Sequence, residues 1–374
     1  MNSNKTRLLS IGFLLVALTL PAAARSDPFT PFRGESKPVT VEDVRPHIGE
    51  DGNATNEFYS EWWSFVFQME DGYGAYAQFL LYNLGPGDGM AAVRTTLALP
   101  DGFHMNEKTV YESGEWDYAK DKFEIRLGDN VVGGPLDGLK IRLKNESFEA
   151  EYNLENIAPP WKPGSGRAHY GKSGKRHYDF QVIAPVARMT GRVKVEGEDE
   201  WRPVKGIMYV DHSMATIGMH EQSKRWLRFR SIDPKRTFLM ADIRPPELYG
   251  DETIQYAVLF EEGRKVFESL DLDLGFGSRY VDPEKSGYVA ARLVEMKHKE
   301  GDLKIHGAVK ARKMTNREDF LAALSPAIRF VVSKFVKPIM YYFSGLYTIE
   351  TVDKDGQKKR YKGNGKYYVT IVNP

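Results

Sequence analysis

Cysteine is missing altogether from the 374 residues, and that absence removes a good deal of chemistry. It excludes disulfides, thiolate nucleophiles, cysteine-ligated metals and a lipid-modified cysteine at a mature terminus. An excess of one charge is missing too. Fifty-two Lys and Arg stand against 51 Asp and Glu, so nothing asks for nucleic acid or an acidic polymer as a partner. Past the N-terminal stretch, no apolar run approaches the roughly 20 residues that span a bilayer. No G-x-S-x-G elbow is present, and Gly85-Pro86-Gly87-Asp88-Gly89 lacks the Lys-Ser/Thr of a phosphate loop. His212 and His220, like His169 and His177, have a spacing that matches no known ligand pattern. No metal and no other cofactor is therefore expected.

What is present begins with an export signal. Lys5 and Arg7 supply a positive start, Leu8 to Leu20 is an apolar run, and Pro21-Ala22-Ala23-Ala24 offers small residues to a peptidase. Cleavage is expected after Ala24, which makes residues 1–24 a signal peptide and the mature chain periplasmic or secreted. The remaining length suffices for two cores, and with no disulfides the cores alone must hold them.

Residues 25–56, rich in Pro, Asp and Asn, read as an extended leader. Strand-like runs then follow one another from Phe58 to Val372, separated by turn signals such as Asp71-Gly72. On the run Tyr73–Tyr82, Tyr76, Gln78, Leu80 and Tyr82 share one face, with Ala77, Phe79 and Leu81 on the other. Both faces are largely apolar, as suits a strand with one face in a cavity and the other packed against something else. Ile157–Lys175, with three prolines and four glycines, reads as a long loop. Thr315-Asn316-Arg317-Glu318 has capping-box spacing, and Phe320, Leu324, Ile328, Val331 and Phe335 follow at helical intervals, so one helix kinked at Pro326 is expected there. It would close a barrel end, or rest transiently on a membrane surface through Arg329 and Lys334. The fold class is all-β, with antiparallel strands enough for two barrels and one helix near the C-terminus.

Three stretches carry a family resemblance. Glu57-Phe58-Tyr59-Ser60-Glu61-Trp62-Trp63-Ser64-Phe65 is close to an E-W-W-Y-F signature. A second stretch runs from Tyr178 through Pro185, Gly191, Val193, Gly197 and Gly206 to Asp211-His212. The third is the ending Tyr341-Tyr342, Gly345 and Gly363-Asn364-Gly365-Lys366-Tyr367. Together they resemble the lipocalin-like proteins related to carotenoid hydratase (hydroxyneurosporene synthase) and AttH. Arg225-Trp226-Leu227-Arg228-Phe229-Arg230 after Asp211-His212-Ser213-Met214 looks closer to the survival-factor-1-like branch. The resemblance spans about residues 57–374. It implies two tandem lipocalin-like barrels, placed at 57–205 and 206–374, holding a bulky apolar ligand.

Three functional readings follow. In the first, the protein binds or carries a lipid-like ligand (fatty acyl, isoprenoid or polyene), with Trp62, Trp63, Phe65, Tyr76, Phe79 and Trp226 as wall residues. In the second, it hydrates or cyclises isoprenoid double bonds. The resemblance then implies Asp242 as proton donor and His212 as its assistant, beside Asp211. Such chemistry needs a strong acid in a dry pocket, with aromatic faces to stabilise a carbocation. Two departures weigh against it: Met214 and Met240 stand where the family pattern has aromatic residues. In the third, it is a purely structural envelope protein that uses the barrels as an interaction surface; barrel interiors filled by side chains would favour it. Asp211 and His212 also read as a hydrogen-bonded corner between barrels, and Glu61, if buried, needs a partner such as Arg94, Arg228 or Arg230.

Overall fold

The computed structural model describes residues 27–50, 52–83, 89–99, 104–284, 286–322, 325–334 and 336–372. The expected signal peptide and the Gly85-Pro86-Gly87 turn lie outside them. The described chain is all-β, as expected, and builds two antiparallel sheets of thirteen and nine strands.

The larger sheet curls into a near-closed barrel. Its central strands are Gly74–Tyr82, Ser60–Met69, Arg202–Ala215 and Arg176–Val195, in that order. Alternation drives the closure. Ala75, Ala77, Phe79 and Leu81 are buried with Trp63, Phe65 and Phe67 inside the barrel, while Tyr76, Gln78, Leu80 and Tyr82 face outward and are half-buried. The Arg176–Val195 strand shifts register between Val182 and Ala187, around Pro185, so its two halves serve different cores. Gly206 permits the tight pairing with Ser60–Met69, because a Cβ there would meet the Gln68 carbonyl at 2.1 Å.

The smaller sheet forms a half-barrel ordered Arg264–Ser269, Ile254–Glu261, Arg236–Arg244, Arg225–Ser231, Lys358–Ile371, Ile339–Val352, Leu303–Asp319, Val289–Glu300 and Asp273–Val281. Ile339–Val352 alternates buried and half-buried residues along its whole length. The chain changes sheet between Ala215 and Arg225, so residues 206–215, expected to begin the second barrel, complete the first.

Between the sheets lies a third apolar cluster. Tyr178, Phe180, Tyr209 and Ala215 of the first sheet meet Leu239, Ala241, Ile254, Tyr256 and Phe260 of the second. The 157–175 segment is less irregular than expected. Its Arg167–Tyr170 pairs with Arg176–Val195, and Trp161 donates its indole N–H to Glu268 at 2.7 Å, tying the two sheets together.

The helix expectation needs correcting. Residues 303–319 form one strand, with two register shifts between Ala311 and Asn316, and only Pro326–Val332 is helical. Cross-strand pairing with Ile339–Val352 overrides the local capping pattern at Thr315, and Pro326 starts the helix rather than kinking it. Val332 is buried while Phe330 and Val331 are exposed; Leu324 and Phe335 lie outside the described residues. A single turn at Val41–Val44 adds a helix within the leader. Thr40 and Asp43 close its capping box.

Candidate functional site

The pleat divides the candidate residues between two places. Adjacent residues on a strand point to opposite faces, so Asp211 and His212 part company, and so do Trp62 and Trp63. The expected Asp211–His212 corner does not form.

His212 points into the first barrel and joins a largely buried cluster. Its Nε2 lies 2.8 Å from Glu61 Oε1, and Trp63 stacks on its ring with centroids 4.8 Å apart. His47, brought in by the leader, places Nδ1 2.9 Å from the same oxygen and donates its backbone N–H to Glu61 Oε2 at 2.9 Å. The Tyr59 hydroxyl also donates to Oε2. Burial pushes the Glu61 carboxyl upward, but hydrogen bonds and charge from His212 and His47 outweigh it and hold the group at about 2. Burial alone would lower His47, and the Glu61 contact more than reverses that, for a net upward shift. A carboxylate so surrounded is a poor proton donor. Its partners are not the expected Arg94, Arg228 or Arg230, because those arginines occupy the opposite face of the barrel wall. His47, Glu61 and His212 offer three ligand atoms within 4.8 Å of one another, a metal-type donor set drawn from three separate segments.

Asp211 points the other way, into a groove between the sheets. Arg228 and Arg230, two apart on Arg225–Ser231, project into it from the opposite side. Arg228 donates to the Tyr178 hydroxyl at 2.8 Å and stacks on Phe180 and Trp226, at 5.3 and 4.6 Å. Arg230 stands 3.4 Å from Asp211 Oδ2 and sits over Tyr209 and Tyr368, at 4.8 and 4.9 Å. Trp62, Tyr76, Leu80 and Trp226 keep accessible surface here despite the flanking sheets. At the rim, Arg94 bridges to Glu318 at 2.8 Å, and Tyr342 donates to the same carboxylate at 2.6 Å. Four polar atoms in the groove, Asp211 Oδ1, Arg228 Nε, Arg230 Nε and Trp226 Nε1, are buried without a hydrogen-bond partner among the described residues. Buried polar atoms without partners are rare in finished protein interiors, so each calls for an explanation.

Asp242 is elsewhere. It faces the interior of the second barrel, where Arg225 binds its carboxylate and Gln255 donates to it at 3.3 Å. The structure thus keeps Asp242, His212 and Asp211 in three separate environments. The wall candidates split likewise: Trp63, Phe65 and Phe79 fill the first barrel, whereas Trp62, Tyr76 and Trp226 line the groove. Met214 and Met240 fill core positions in the first and second barrels. Sequence reading missed His47, Tyr59 and the phenols of Tyr178, Tyr209 and Tyr368. The Thr40-x-x-Asp43 capping box was a readable signal that the leader is structured, but nothing local marks His47 as a barrel residue.

No family model matches the chain. It is 21% identical over 268 residues to the ceramide-binding protein SVF1 of Candida albicans, covering 68% of each protein. Among solved structures it resembles an AttH-type protein of Nitrosomonas europaea (TM-score 0.55, 16% identity, 90% of this chain and 99% of the other). It also resembles kievitone hydratase of Nectria haematococca (0.53, 13%, 92% and 98%) and CghA in complex with Sch210972 (0.54, 10%, 88% and 94%).

Proposed function

On the lipocalin-like fold that this chain shares with the carotenoid hydratase and AttH type of protein, we propose that it binds and carries a lipid-like apolar ligand beyond the inner membrane. The carrying observation is the groove. Both barrel interiors are packed with side chains, Phe67 against Tyr152 in one and Phe238 against Tyr347 in the other. Between the sheets, by contrast, aromatic walls retain accessible surface above polar atoms that lack partners. Burying a hydrocarbon chain there contributes about 0.8 kcal/mol per methylene, so micromolar binding needs only part of a fatty chain. The ceramide-binding relative supports a ligand of this general kind.

Native mass spectrometry of the full-length chain, expressed and purified from a bacterial envelope, tests the proposal. The expected spectrum has a protein mass lacking residues 1–24 and a lipid-sized adduct. After delipidation the protein should regain lipid from an extract, and Trp226→Ala should cut that recapture about tenfold. Lipid-free protein that takes up nothing from the extract ends this reading, and a full-length protein mass ends the export part of it.

The alternative is acid-catalysed hydration or cyclisation of an isoprenoid double bond. Of the three acid–base candidates Asp211 alone faces the groove, so that reading shifts from Asp242 to Asp211. An unchanged product profile in Asp211→Asn, against an active wild type, would remove it.

A further inference from the structure

We infer that the ligand held in the groove carries an anionic head, a carboxylate or a phosphate, on its apolar chain. The inference rests on the reading of the groove as the ligand site and adds the chemistry of the head.

The charge count in the groove is uneven. Arg228 and Arg230 contribute two permanent positive charges, since a guanidinium does not lose its proton in a protein. Asp211 is the carboxylate that answers them, at 3.4 Å from Arg230. Arg94 and Glu318 balance each other at the rim. Arg228 has no carboxylate within 4 Å among the described residues; its polar partner is the Tyr178 hydroxyl. The surrounding phenols cannot supply the missing charge. Burial pushes Tyr76, Tyr178, Tyr209 and Tyr256 upward, so they stay neutral. One positive charge is left over in a place where unpaired charge is costly.

The geometry shows how an anion would be met. The guanidinium carbons of both arginines lie over aromatic rings: Phe180 and Trp226 for Arg228, Tyr209 and Tyr368 for Arg230. A guanidinium carries five N–H donors, and contact with aromatic rings leaves N–H groups free to meet an oxyanion. The unpartnered Nε atoms of Arg228 and Arg230 are such donors, and a third unpartnered donor, the indole N–H of Trp226, belongs to a ring that Arg228 lies over. An apolar chain would run from this head along Trp62, Tyr76 and Leu80 toward the rim.

The test uses three ligands with one hydrocarbon chain: oleate, oleyl phosphate and oleyl alcohol. Each competes with a fluorescent acyl probe on the delipidated mature protein. At least one anion should bind fivefold or more tightly than the alcohol, and the tighter of the two identifies the head. Arg228→Gln should bring that ratio below twofold, and Asp211→Asn, which removes the competing carboxylate, should raise it. Asp211→Asn is also the safeguard should Arg228→Gln fail to fold. A wild-type ratio under fivefold, or a ratio unchanged in both variants, overturns the inference while leaving the groove as a lipid site. Failure of all three ligands to bind overturns the groove reading itself.

Discussion

In the first barrel the buried carboxylate, Glu61, is met by two imidazoles and a phenol; in the second, Asp282 is met by the Arg317 guanidinium, which donates from Nε at 3.2 Å and Nη2 at 3.0 Å, and by the Tyr341 hydroxyl at 2.9 Å. Both carboxyls are held below their ordinary range although burial pushes each the other way. The difference lies in the partners. Histidine exchanges its proton near neutrality and arginine does not. The first barrel therefore has a titratable polar plug, and the second a permanent one. The two barrels also differ in how closely an added segment packs on them. His47 fastens the leader to the first barrel, with Val44 and Ile48 buried beside it, whereas the Pro326–Val332 helix leaves Phe330 63% exposed.

The largest test of this contrast removes each carboxylate. Glu61→Ala strands two imidazoles and a phenol in a closed space, and should cost about 4 kcal/mol in urea unfolding. Asp282→Ala should cost less, about 2 kcal/mol, because Arg317 falls back on Glu284, which already lies 2.8 Å away at the surface. Equal losses would mean that the choice of partner does not matter.

Next in size is the contrast between the two covering segments. Val44→Ala removes two buried methyl groups and should cost about 2 kcal/mol. Phe330→Ser, at an exposed position, should change stability by less than about 0.5 kcal/mol. Thermal unfolding of the two variants side by side measures this, and a costly Phe330→Ser would show that the helix is better packed than its exposure indicates.

The smallest effect concerns pH. The folded value of His47 is raised above 6.5, so its stabilisation is complete below 6.5 and fades as pH rises through the folded value. Glu61 is depressed, so its contribution is present above 4.5 and is lost as pH falls toward about 2. Asp282 is depressed from 3.8, and its contribution is untouched on the alkaline side. Raising pH from 6 to 9 should therefore lower the protection factors of residues 40–50, with exchange rates corrected for intrinsic base catalysis, and leave those of Leu303–Asp319 and Ile339–Val352 unaltered. An equal loss of protection in both regions would count against a titratable plug confined to the first barrel.

Much of the architecture was legible from the chain alone. Two largely apolar faces over Tyr73–Tyr82 marked a strand, one face of which the structure buries and the other half-buries, and Gly191 and Gly206 stood in the family-like pattern where the pairing strands leave no room for a Cβ. The helix expected after the capping pattern at Thr315 was misplaced because the bulges between Ala311 and Asn316 interrupt the alternation while the strand pairing continues. Glu61 and His212 were each singled out, yet their contact was not, because 151 residues separate them.

Composition, periodicity and the absence of cysteine were sufficient to determine an all-β chain held by its cores, because those properties depend on near neighbours and on residue type. The tertiary structure decided which face each candidate occupies. A one-residue step along a strand reverses a side chain's direction, so Asp211 and His212, adjacent in sequence, serve a groove and a barrel interior. The meeting of Arg228, Arg230 and Asp211 likewise depends on how two sheets pack, and no local pattern encodes that.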